Sequence, residues 1–157
     1  MKKTNRFQEM SKFKKIVLSI GVLCLAFGLY NVIWFGWRAC KYNSYTENLD
    51  VFIEHLSYVY TAEDGYLYNV KMPDYLTFTG NLCVATPDGG AALLIWPKVL
   101  GGYRYGFQIE KDNEIYSIML NQDFEAEDAQ FKDIIDENNN VITELNSKAI
   151  EMWHIKN

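Results

Sequence analysis

Charged side chains are missing from 22 consecutive positions, Ile16 to Trp37. Other things are scarce along the whole chain of 157 residues, which holds three Cys, three Pro and two His. Three Cys, one of them (Cys24) inside the uncharged run, do not make a disulfide framework. His55 and His154 stand alone, and neither falls in a zinc-binding spacing such as His-Glu-x-x-His. Few Pro, ten Gly and no low-complexity stretch argue against disorder beyond the run. No Asn-x-Ser/Thr sequon occurs, which fits a bacterial surface better than a glycosylating secretory pathway.

The uncharged run is long enough to matter. At about 1.5 Å per residue it makes a helix of roughly 33 Å, against a hydrocarbon core of about 30 Å. A helix satisfies its own backbone hydrogen bonds, as lipid requires. Before the run stand Lys2, Lys3, Arg6, Lys12, Lys14 and Lys15, opposed only by Glu9; just after it come Arg38 and Lys41. Excess Lys and Arg mark the cytoplasmic flank, so the N-terminus is expected inside the cell membrane and the remainder outside. A cleaved signal peptide would have a shorter apolar region and small residues at its end. Here the run ends Trp34-Phe35-Gly36-Trp37, which suits an aromatic belt at headgroup level and an uncleaved signal-anchor.

Beyond Trp37, nine Lys and Arg stand against nineteen Asp and Glu, a balance of −10. Such a charge repels nucleic acid and anionic lipid. About 120 residues suffice for one domain with its own core.

Periodicity divides this region. Tyr42, Tyr45, Leu49, Phe52, Leu56 and Val59 recur at three and four residues, which predicts a juxtamembrane amphipathic helix over 38–64, ended by Gly65. Strand-like alternation follows over 66–72 and 75–85, then an apolar run from Ala91 to Trp96, alternation again over 103–110, and a returning strand over 114–121 after the Lys111-Asp112-Asn113 turn. Short connections imply antiparallel pairing. A long C-terminal helix is expected over the last segment, with Asp123 as N-cap and Asn138-Asn139-Asn140 as a point where it kinks or splits. The expected class is α+β: a basic cytoplasmic tail (1–15), one transmembrane helix (16–37), the amphipathic helix (38–64), and an extracytoplasmic domain (65–157). That domain is read as an antiparallel meander of four or five strands flanked by the helices.

Chemistry-bearing motifs are weak. Asp123, Glu125, Glu127 and Asp128 form the densest carboxylate group, but no Gly bends the chain there as a calcium loop needs, and acids at a helix start explain it. Gly101-Gly102-Tyr103-Arg104-Tyr105-Gly106 leads into a strand, whereas phosphate loops lead into a helix. No catalytic residue, cofactor or metal site is therefore expected.

Two association surfaces are expected instead. Gly21, Cys24 and Gly28, continued by Asn31, form a stripe on which a second membrane helix can approach closely. Tyr66, Tyr68, Tyr103 and Tyr105 form an aromatic platform for a partner protein if their face of the sheet is open. The expected function is a non-enzymatic interaction or accessory subunit of an envelope or surface assembly, with a protein partner or a second copy of itself.

In outline the chain resembles pilins, which share a basic start, an outward-running apolar helix and an antiparallel sheet. The resemblance implies a structural subunit of a filament. The processing pattern departs from it, because Arg6-Phe7 and Lys12-Phe13 stand where Gly-Phe is needed. An extracytoplasmic hydrolase is the other alternative, and it would need His154, Asp123 and Tyr116 to converge.

Overall fold

A computed structural model describes residues 11–155 of the chain. The basic residues Lys2, Lys3 and Arg6, and Glu9 opposing them, lie outside the described residues. The chain divides into two compact units, Met1–Trp37 and Arg38–Asn157.

In the first unit the described residues are almost all helical. They belong to α1, which runs from Lys12 to Thr46 without interruption. Val17, Leu23, Leu25, Phe27 and Leu29 each expose more than half of their surface. By length and composition a helix of this kind is compatible with a membrane anchor or a signal sequence.

The second unit begins with the last turns of α1 and continues as a seven-stranded antiparallel sheet. Its strands are β1 (Asp50–Ile53), β2 (Ser57–Thr61), β3 (Leu67–Lys71), β4 (Asn81–Ala85), β5 (Ala91–Pro97), β6 (Tyr103–Lys111) and β7 (Glu114–Leu120). They lie side by side in chain order, so every connection is a hairpin. A 3-10 turn (Ala129–Phe131) then leads into α2 (Lys132–Glu137) and α3 (Asn139–Trp153).

Register explains the core. Tyr58, Val70, Leu82, Ile95, Tyr105 and Leu120 pair in one row across β2 to β7. Tyr60, Tyr68, Val84, Leu93, Phe107 and Ile118 make the next row on the same face. Most of these side chains are buried, and Ile142, Leu145, Ala149 and Trp153 of α3 pack with them in one cluster. Tyr42 and Tyr45, in the last turns of α1, join the same cluster. Trp153 fixes this corner: its indole N–H donates to the Tyr45 carbonyl at 3.1 Å, and its ring meets Tyr68 edge-on at 5.8 Å.

Three expectations need correction. The meander has seven strands rather than four or five. The two extra strands come from the segment read as an amphipathic helix over 38–64, which is helical only as far as Thr46. Leu49, Phe52, Ile53, Leu56 and Val59 do fit a three/four spacing, but Ser57-Tyr58-Val59-Tyr60-Thr61 is composed of strand formers, and cross-strand pairing overrides the spacing. His55 takes a left-handed conformation (φ 60°) and turns the β1–β2 hairpin, while Gly65 (φ 88°) turns β2 into β3 instead of closing a helix.

The C-terminal helix is the third correction. It starts later than Asp123, which sits in a turn; Asp128 caps the 3-10 segment by accepting from the Gln130 N–H at 3.1 Å. Asn138 does split the helix. Its backbone (φ −109°, ψ 11°) leaves the helical region, and its amide donates back to the Ile134 carbonyl at 2.7 Å.

Candidate functional site

Charged and polar side chains converge most densely where the β2–β3 turn meets α3. Lys148 Nζ lies 2.6 Å from Asp64 Oδ2 and 5.1 Å from the centre of the Tyr66 ring. The Tyr66 hydroxyl donates to Glu144, one helical turn before Lys148. Beside this cluster runs an open groove of about 570 Å³, lined by Tyr60, Asp64, Tyr68, Lys148, Glu151 and His154 among others.

Electrostatics assign the cluster a clamping role. The hydrogen bond to Lys148 holds the Asp64 carboxyl below its ordinary range, and the same bond raises the Lys148 ammonium. The bond to Glu144 raises the Tyr66 phenol. Each group is thereby fixed in the protonation state it already has at neutral pH. A general acid or base needs the opposite, a value drawn toward the working pH. The arrangement ties the turn to α3 through charge-assisted hydrogen bonds and one cation–π contact.

The residues required by a hydrolase are not joined. Tyr116 donates its hydroxyl to Glu114 at 3.1 Å and packs against Phe131. Asp123 belongs to a turn organised by the Asn121 side chain, which accepts from the backbone N–H groups of Asp123 and Glu125. His154 caps α3 in a left-handed conformation and lines the groove. Cys83 lies between Asn69 and Leu94 on its neighbouring strands, and burial pushes its thiol up to about 11. A thiol so raised is a poor nucleophile at neutral pH. Among the described residues, no group of three or more His, Cys, Asp or Glu could hold a metal ion.

The four tyrosines lie elsewhere than on an open platform. Tyr68 and Tyr105 belong to the helix-covered face and keep 5% and 1% of their surface exposed. Tyr66 and Tyr103 are half-buried at its rim, where Tyr66 serves the clamp and the Tyr103 hydroxyl stands 3.3 Å from that of Tyr45. The platform required an open face; C-terminal helices that bury the same alternation close it.

In α1, Gly21, Cys24, Gly28 and Asn31 follow one another at three and four residues along an unbroken helix. A Cβ added at Gly21 or Gly28 would meet nothing within 4 Å, so both positions are open to close approach. Asn31 Nδ2 donates to the Phe27 carbonyl at 2.8 Å.

The opposite face of the sheet carries other residues than the four tyrosines. Val59, Asn69, Cys83, Leu94, Gly106 and Met119 pair across it in one row. The Trp96 ring lies over Gly106, where an added Cβ would come within 2.9 Å of Cη2 and Cζ3. A glycine inside an alternating strand is the signal that marks such a close approach.

Compared with protein-family models, curated proteins and solved structures, the chain matches none of them.

Proposed function

We propose that this chain is a single-pass membrane protein of the cell envelope, with its N-terminus in the cytoplasm and its acidic α+β domain outside. The domain serves as a non-enzymatic interaction module, an accessory subunit of a larger membrane or surface assembly. One observation carries the reading: the helix holding the uncharged run is exposed along its apolar stretch, as a helix surrounded by lipid would be. The flanking charges supply the orientation. The ion pair at the groove supports the non-enzymatic part, because Asp64 and Lys148 hold each other in their ordinary charge states.

A stable partner is the consequence to test. The full-length chain, extracted from native membranes in a mild detergent, is expected to co-purify with at least one other membrane or surface protein in fixed proportion. It would also carry that protein through size-exclusion chromatography. Recovery of the chain alone, at the mass of a monomer, contradicts the accessory role.

A further inference from the structure

The β1–β2 hairpin is unusual for a strand pair at the edge of a sheet. Val51, Phe52 and Ile53 expose 60%, 68% and 50% of their surface, and Leu56 in its turn exposes 45%. Edge strands facing water are blunted by shortness, a bulge, charge, proline or a covering element, and β1 has the first two, with four residues and a register shift between Val51 and Ile53. The hairpin carries no lysine or proline between Asp50 and Thr61, and what those devices leave unexplained is the exposure of its apolar side chains.

Its place in the chain gives the reason. Arg38, the first residue after the uncharged run, donates its guanidinium to the backbone carbonyl of His55 at the hairpin turn. The next carbonyl, that of Leu56, accepts from the Met72 N–H at 2.8 Å, which pins the turn to the end of β3 as well. A residue adjoining a membrane span lies at the bilayer surface, and the hairpin turn is one arginine side chain away from it.

We infer that the β1–β2 hairpin docks on the outer leaflet, with Phe52 and its apolar neighbours seated at the depth of the headgroups. This rests on the anchor reading above. Apolar and aromatic side chains carried at that depth leave water without needing a protein partner. The nearby Glu54 carboxylate is repelled by anionic headgroups, so the surface that fits is zwitterionic. A second copy pairing along β1 is the competing occupant. The tether at Arg38 favours lipid, because it holds the hairpin at the membrane whether or not another copy is present.

Nitroxide accessibility tests this in the full-length chain, reconstituted in phosphatidylcholine nanodiscs with the native cysteines changed to serine. Single labels are placed through Phe52→Cys, through Val22→Cys in the uncharged run, and through Ile115→Cys on β7, where the native side chain is 74% exposed. The ratio of oxygen to nickel-chelate accessibility at position 52 is expected to be severalfold above that at 115 and below that at 22, as headgroup depth requires. Equal ratios at 52 and 115, with 22 shielded, overturn the inference and leave the anchor intact. A nickel-accessible label at 22 overturns the anchor, and this inference with it. Broadening between labels at 52 that vanishes on dilution with unlabelled chain shows a second copy there, and also overturns it. Ile53→Cys gives an independent reading should Phe52→Cys fail to fold.

Discussion

The phenol oxygen of Tyr42 accepts the backbone N–H of Gly80 at 2.7 Å, inside the protein, where Tyr42 has no exposed surface. The last turns of α1 are thereby part of the domain core rather than a stalk beneath it. Burial raises the Tyr42 phenol above its ordinary value, so it accepts this bond as a neutral phenol. Tyr42→Phe strands the Gly80 N–H, and an unsatisfied buried donor costs about 1–3 kcal/mol. Chemical denaturation of the detergent-solubilised chain should show that loss. An unchanged midpoint would mean the bond contributes nothing. Gly80→Ala should be worse, because an added Cβ would come within 2.0 Å of the Lys71 carbonyl oxygen, and backbone cannot move aside as a side chain can.

Gly106 and Trp96 offer a milder version of the same conflict. The Cβ of Gly106→Ala would press on the edge of the Trp96 ring, and overpacking of this kind costs about 1–3 kcal/mol. Trp96→Leu removes the obstructing atoms. The double variant should therefore be less destabilised than the sum of the two single ones. Strict additivity in a double-mutant cycle would show that the ring and the glycine are not in contact.

Cys83 and Cys40 should differ sharply toward alkylating reagents. Cys40 is exposed, whereas burial pushes the Cys83 thiol up to about 11. The thiolate is the reacting form, so at pH 8 Cys40 should be alkylated first and Cys83 only after denaturant is added. Mass spectrometry of tryptic peptides after a timed pulse of iodoacetamide reads both sites at once. Equal labelling in the native protein would refute the packing described for β4. Neither thiol is bridged in this structure, so non-reducing mass analysis should find both free.

Legibility in the sequence followed burial. β5 and β6 are legible as an apolar run and a clean alternation, and β7 as the strand that returns after the Lys111-Asp112-Asn113 turn, because one face of each lies on the core. β1 and β2 were hidden for a physical reason. Their exposed apolar residues, Phe52, Ile53 and Leu56, fill in a helical spacing that an edge hairpin in water would not show. The left-handed His55 that turns the hairpin is a weak signature, since few non-glycine residues take that conformation even though histidine is enriched among them. The Lys148–Asp64–Tyr66 clamp was equally invisible. Lys148 lies 84 residues from Asp64, and only the pairing of β2 with β3 and the docking of α3 bring them together.

The account depends on the uncharged run crossing a bilayer with the domain beyond it. Labelling of Ile115→Cys, in a chain otherwise lacking cysteine, by a membrane-impermeant maleimide on intact cells tests that claim most directly. Position 115 is an exposed site on β7, far along the chain from the run. The expected result is full labelling without permeabilisation, with no increase after the membrane is opened, and with the protein retained in membranes after alkaline carbonate washing. Labelling that appears only once cells are permeabilised would place the domain in the cytoplasm and contradict the account, as would release of the chain by the wash.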